Sequence, residues 1–354
     1  MYVYILLFAL MLILGLMIFE KGQTENRKKI YSLLFFSSIC MIECVRDVSI
    51  GEDTINYVGW FEDFCYDGWR NSFLTPRRYV EPGFKMLNLL VSEFTNNYHF
   101  FVAIVALIIV GLFTWFLKEN SEDVFLSTML FFGLNFFVNS MTAFRQFIAM
   151  GIVFWMLPLL LKEKWSKAIL VGMIAFSFHR SSIIYILCVL GLAMFKSEKR
   201  MLKIAIIGEI MILMALPLCV RLFLWLQPKY EIYFIYGEVA SMGKLRMVYI
   251  IIEFMLVIHY LYFRKEIHNR QNHFIVIMIS LSILIGILNA YIPHIFRLGY
   301  YFDFYMLLFV PILIPKKIII NRIFWKFTTI SASFMLFIYY LSTNAGGVVP
   351  YKIF

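Results

Sequence analysis

Charge is scarce in this sequence. Asp, Glu, Lys and Arg make up only 15% of its 354 residues, while 62% are hydrophobic. A soluble chain carries roughly a quarter charged residues, and a water-soluble domain of this length needs a mostly polar skin. A soluble globular protein is therefore excluded. Nine prolines and 18 glycines are too few for a disordered or collagen-like chain. The five cysteines (Cys40, Cys44, Cys65, Cys188, Cys219) form no C-x-x-C pair and no metal-ligand spacing, and the four in or at the edge of apolar runs read as buried thiols. No Walker loop, no G-x-G-x-x-G after a strand, no H-E-x-x-H and no G-x-S-x-G occurs.

What fills the chain instead is apolar runs, at about 2–19, 30–45, 98–117, 124–141, 145–161, 168–179, 181–195, 204–226, 247–263, 274–292, 299–315 and 325–342. At about 20 residues per crossing they predict an all-α, polytopic membrane helix bundle of about 11–13 transmembrane helices. Residues 1–354 read as one integral membrane domain. Two extracytoplasmic loops stand out, 46–97 with short interfacial helices and 227–246. The first run has no preceding Lys or Arg and no small-residue cleavage pattern, so it reads as a retained helix.

The net charge of +10 invites a nucleic-acid reading, but most charges lie in short clusters between apolar runs. No nucleic-acid partner is expected. Placing loop 20–29, with Lys21, Arg27, Lys28 and Lys29, in the cytoplasm puts 14 Lys and five Arg in short inner loops, as the positive-inside rule expects. Both termini then lie outside. Inner loops of about ten residues leave no room for a nucleotide-binding domain. The remaining basic residues fall on the outer side: Arg46, Arg70, Arg77, Arg78, Arg145, Arg180, Arg221, Arg246 and Arg297, against Lys85, Lys229, Lys244 and Lys352. Arginine's planar fork suits bidentate binding of phosphate and carboxylate, whereas lysine serves as a solvated point charge. The asymmetry points to an anionic ligand at the outer face.

Polar residues concentrate in 46–82. Gly51 with Asp53-Thr54 predicts a turn and a helix start, with Asp53 or Thr54 as N-cap. Tyr57, Trp60, Phe61 and Phe64 then mark an amphipathic interfacial helix. Pro82, preceded by Glu81, opens a second helix whose apolar pattern is Phe84, Leu87, Leu90, Val91 and Phe94. Arg145-Gln146 begins an apolar helix of about 25 Å, and the return run from Ala168 reaches His179 after only about 18 Å. Arg145 and His179 should therefore sit at similar depth on consecutive antiparallel helices, as neighbours. The polar string His179-Arg180-Ser181-Ser182 interrupts an apolar stretch, where such residues are costly and usually face a cavity. His294 and Arg297 add polar groups near the C-terminus. Glu209, Glu253 and Asp303 read as structural partners for Arg, Tyr or Ser.

In this order, Arg46-Asp47-x3-Gly51-x-Asp53-Thr54-x2-Tyr57, Glu81-Pro82-Gly83-Phe84-x3-Asn88, Arg145-Gln146, Phe178-His179-x-Ser181 and the ending Val349-Pro350-Tyr351-Lys352-Ile353-Phe354 resemble the EpsG-type exopolysaccharide polymerases, a branch of the Wzy-like membrane polymerases. Asp47 departs from the family, which often has an aromatic there. The resemblance implies a glycosyltransferase that joins undecaprenyl-diphosphate-linked oligosaccharide repeats, as donor and acceptor, at the outer face of the bacterial cytoplasmic membrane. It implies Arg145, with Arg46 or Arg297, on the leaving diphosphate, and His179, Asp53 or Glu81 as the base. Thr54, Tyr57, Gln146, Arg180 and Arg246 are further expected substrate contacts. Tyr57, Trp60 and Trp69 suit either sugar stacking or interface anchoring. No cofactor or metal is expected, although Asp53 with Glu81 would suit a divalent ion. A chain-length regulator and a flippase are possible partner proteins. The alternatives are a flippase or exporter of the same lipid-linked sugars, and a membrane transferase adding a single sugar or an acetyl group.

Overall fold

The computed structural model describes residues 1–74, 80–226, 243–292, 294–315 and 319–354. Arg77, Arg78 and Tyr79, loop residues 227–242 with Lys229, and Lys316 and Lys317 lie outside the described residues. The described chain is helical, and an isolated antiparallel bridge between Arg46 and Ile353 is its only extended pairing. Among the described residues seven helices are long and apolar enough to cross a membrane, and a bent pair over residues 198–222 adds an eighth if counted as one span. The fold is thus an all-α polytopic membrane bundle.

The chain packs as two units, Met1–Ile186 with Ile314–Phe354, and Leu187–Leu313. The first begins with α1 (Tyr2–Phe19), α2 (Glu25–Glu43), α3 (Thr54–Leu74), α4 (Pro82–Ser92) and α5 (Tyr98–Asn120). It continues through α6 (Val124–Gly133), α7 (Phe136–Ser140), α8 (Phe144–Val153), α9 (Met156–Leu161) and α10 (Trp165–Phe178). After α11 (Ser182–Ala193), the second unit holds α12 (Glu198–Met214), α13 (Leu216–Leu226), α14 (Lys244–Phe263), α15 (Arg270–Leu288), α16 (Phe296–Asp303) and α17 (Met306–Leu313). The long α18 (Ile319–Ser342) belongs to the first unit.

Local chemistry sets the helix starts. Asn97, Asp123 and Asn269 each accept a backbone N–H in the first turn of α5, α6 and α15, satisfying donors that the helix leaves open. Two expected runs are broken. Run 124–141 divides into α6 and α7 at Asn135, whose φ of 65° is a left-handed conformation that Asn tolerates. Run 204–226 bends by 78° between α12 and α13. The interfacial helix expected from Tyr57 onward is present as α3, interrupted at Gly68 (φ 61°). Its buried face is Tyr57, Val58, Phe61 and Phe64, with Phe61 stacked on Phe101 at 4.6 Å. α4 differs from its predicted face. Phe84, Lys85, Asn88, Leu89 and Val91 are buried, whereas Leu90 and Phe94 are exposed.

Aromatic side chains fill the first unit. Phe8 of α1, Phe132 of α6 and Phe337 of α18 converge, with ring centroids 5.4–5.8 Å apart. α18 packs closely on α6 because Gly133 faces Ser333, where a Cβ would come within 2.6 Å of the Ser333 Cβ. Small residues permit such close crossing where lipid offers no hydrophobic drive between helices. The segment 346–354 ties down the turn that launches α3. Gly51 and Glu52 donate their N–H groups to Gly347 and Gly346, Asp47 donates to Lys352, and Tyr351 donates its hydroxyl to Ile42. Replacing Gly133 by Leu is expected to cost about 1–3 kcal/mol by overpacking α6 against α18. Thermal melting of the purified variant checks this, and unchanged melting would contradict the packing.

Candidate active site

Glu81 stands at the N-cap position of α4 in extended conformation (ψ 144°), ahead of Pro82. Its carboxylate does not cap its own helix, which leaves both oxygens available. Oε2 accepts a hydrogen bond from Arg145 Nη1, and Oε1 lies 3.3 Å from His179 Nδ1. The carboxyl side chain is 6% exposed, against 20% for Arg145 and 24% for His179. Arg145 sits in the first turn of α8, where the helix dipole disfavours a cation, and the buried carboxylate offsets that cost. His179 terminates α10, donating its backbone N–H to Ala175 before the chain turns extended. α8 and α10 pack against each other, and α4 packs on α10. The expected neighbourhood of Arg145 and His179 is therefore met, with Glu81 as the group they share.

Two further contacts shape the cluster. The Arg145 guanidinium lies 4.7 Å from the Trp60 ring centroid and 5.9 Å from that of Tyr57, within cation–π range. Tyr57 is itself buried, stacked on Phe144 at 4.7 Å and edge-on to Trp60. Gly83 permits the approach of α4 to α10, since a Cβ there would lie 2.9 Å from the Ser177 carbonyl carbon. Sequence reasoning had no signal for that contact, nor for Trp60 resting on a guanidinium. Arg145 Nε is buried with no hydrogen-bond partner.

Burial alone would raise the Glu81 carboxyl. The closeness of His179 and the Arg145 charge outweigh it, bringing the group down to about 2 from its ordinary 4.5.

The other expected site residues separate into distinct roles. Arg46 is fully buried. It pairs with Glu43 at 3.5 Å, donates to the carbonyls of Glu43 and Met141, and lies over the Phe144 ring. Its side chain has no exposed surface, and this placement uses it in the fold and lends no support to the expectation of Arg46 on a diphosphate. Thr54 is likewise buried, donating its hydroxyl to Ile50 O and Met141 O at the start of α3, a structural use in place of a substrate contact. Asp53 precedes α3 and its carbonyl accepts from Asn56 and Tyr57. Asp47 holds its own turn by accepting from the Ser49 N–H and hydroxyl. Lys85 donates to Ser72 O and covers Phe73, and Trp69 donates to Glu93. Gln146 is buried beside Arg145, whereas Arg180 is exposed next to His179.

Arg246 and Arg297 belong to the second unit. Arg246 makes a bidentate pair with Asp303, both distances 3.2 Å, so its fork is taken up by a carboxylate of this chain. Arg297 is exposed. Glu209 accepts from Ser280, and Glu253 Oε1 lies 2.7 Å from Ser282 Oγ, so all three internal acids have the structural partners expected of them. No three His, Cys, Asp or Glu side chains gather as a metal site among the described residues.

A buried carboxylate shared by an arginine and a histidine, on a multi-pass helical frame, defines a membrane protein with a candidate acid–base and anion-binding centre. The family comparison is more specific. The EpsG family model matches residues 28–353, and the chain belongs to that family, which supports an exopolysaccharide-polymerase type of function. Neither curated proteins nor solved structures return a match.

The stabilising contribution of ionised Glu81 is expected to be complete above the ordinary carboxylate range and to fade as pH falls towards about 2. Melting of wild type and Glu81→Gln from pH 7 to pH 3 tests this. The gap between them should hold down to about pH 5 and then narrow steadily without closing by pH 3, and a gap that closes by pH 5 would refute it.

Proposed function

We propose that this protein polymerises oligosaccharide repeat units carried on undecaprenyl diphosphate, at the outer face of the bacterial cytoplasmic membrane. The observation that carries the reading is the Glu81 carboxylate joined to Arg145 and His179. A hydroxyl of the acceptor sugar attacks the anomeric carbon of the donor repeat. The new glycosidic C–O bond forms as the bond to the lipid diphosphate breaks, and the diphosphate leaves with the electron pair. Wzy-like chemistry of this kind needs an acceptor for one proton and a cation for the developing negative charge.

His179 takes the base role in this reading. With Nδ1 turned towards Glu81, its Nε2 is left to accept the hydroxyl proton. Glu81 positions the imidazole and does not itself abstract the proton, because a carboxyl near 2 is too weak a base for a sugar hydroxyl. Arg145 spends Nη1 on Glu81, and its part-exposed guanidinium is the group assigned to the diphosphate. Arg180, exposed beside His179, is the second cation assigned to the leaving group in this reading. A donor already charged with diphosphate supplies its own driving force, in keeping with a chain that has no nucleotide-binding motif.

Purified protein given defined lipid-linked repeat units should form polymer. His179→Ala is expected to lose about 10²–10⁴-fold in rate. Arg145→Ala should lose about 10²–10³-fold. In both variants single repeats remain on the lipid while the protein stays folded and inserted. Normal-length polymer from both would refute the assignment, and parallel assays with and without chelator report metal dependence.

A further inference from the structure

The second unit contains a polar cluster that the proposed reaction does not use. Glu253 lies on α14, Ser282 on α15 and Asp303 at the end of α16, and α15 packs against both neighbours. Ser282 Oγ is 2.7 Å from Glu253 Oε1 and within hydrogen-bonding distance of Asp303 Oδ1. Arg246, also on α14, forks onto Asp303 and reaches the Ser282 carbonyl at 3.0 Å and its Oγ at 3.4 Å. Gly286 makes room for it, since a Cβ there would lie 2.9 Å from Arg246 Nε. Tyr249 flanks the guanidinium at 5.1 Å, and Glu209 on α12 accepts from Ser280, two residues before Ser282. Glu253 and Ser282 are completely buried, and Glu253 Oε2 is buried with no hydrogen-bond partner.

Proton counting decides the charge state. One hydroxyl carries one proton, so Ser282 cannot donate to two ionised carboxylates at once. With both acids ionised, one oxygen pair would face another without a proton between them. The cluster would also hold one uncompensated negative charge inside an apolar helical unit, at a cost of several kcal/mol. Arg246 fixes which acid is ionised, because its fork grips Asp303 alone. We propose that Glu253 is a proton-binding site: it carries a proton in the native protein and forms a relay through Ser282 to the Asp303–Arg246 pair. Glu253 donates to Ser282 Oγ, and Ser282 donates to Asp303 Oδ1. Shifting the proton along the relay moves one from Glu253 to Ser282 as the hydroxyl proton passes to Asp303, with the total unchanged.

Infrared spectra of the full chain in lipid nanodiscs at neutral pH test the proposal. The C=O band of a protonated carboxylic acid should be lost in Glu253→Gln. Glu253→Gln, a neutral isostere of the protonated acid, should also keep wild-type melting, whereas Asp303→Asn should lower it by stranding Arg246. Loss of a carboxylate band in place of the acid band, or destabilisation by Glu253→Gln equal to that by Asp303→Asn, would overturn it. If Asp303→Asn fails to fold, the Glu253→Gln spectrum alone decides.

Discussion

The site rests on one carboxylate. Glu81 reaches both partners, with one oxygen towards Arg145 and the other 3.3 Å from His179 Nδ1. Its position follows from ordinary helix chemistry, with Pro82 opening α4 and Gly83 admitting the end of α10. A carboxylate used for capping would have spent its lone pairs on backbone N–H groups. Here they hold two side chains from two other helices, so the relative placement of α4, α8 and α10 is fixed by the same bonds that set the chemistry.

The aromatic residues around this carboxylate do two kinds of work. Tyr57, Phe144 and Phe84 form a packed floor, and Trp60 with Tyr57 flanks the guanidinium. The floor depends on α3, whose first turn is held by Thr54 and by the segment 346–354. Buried Arg46 lies beneath that turn, sharing the Met141 carbonyl with Thr54. The motif from Arg46 to Tyr57 is thus mainly a mount, and the proposed chemistry is assigned to the helix ends that the mount supports.

Much of this was legible beforehand. Run lengths gave the all-α membrane class, and the short return from Ala168 to His179 placed the histidine level with Arg145. Pro82 after Glu81 marked the start of α4. Other features were hidden because sequence spacing reports a residue's face and not its partner. An arginine expected at the outer face reads the same whether it awaits a ligand or, like Arg46 and Arg246, is matched by Glu43 or Asp303. Trp60 has the same spacing whether it stacks on a sugar or on Arg145. The break at Asn135 turns on a single residue tolerating positive φ, which hydropathy does not register.

An experimental structure with a bound, unreactive undecaprenyl-diphosphate glycan is the most direct test of the central claim. The account predicts diphosphate oxygens within hydrogen-bonding distance of the Arg145 guanidinium, with the anomeric carbon facing His179 Nε2. A diphosphate seated away from Arg145, with the Glu81 cluster intact and unoccupied, would contradict it.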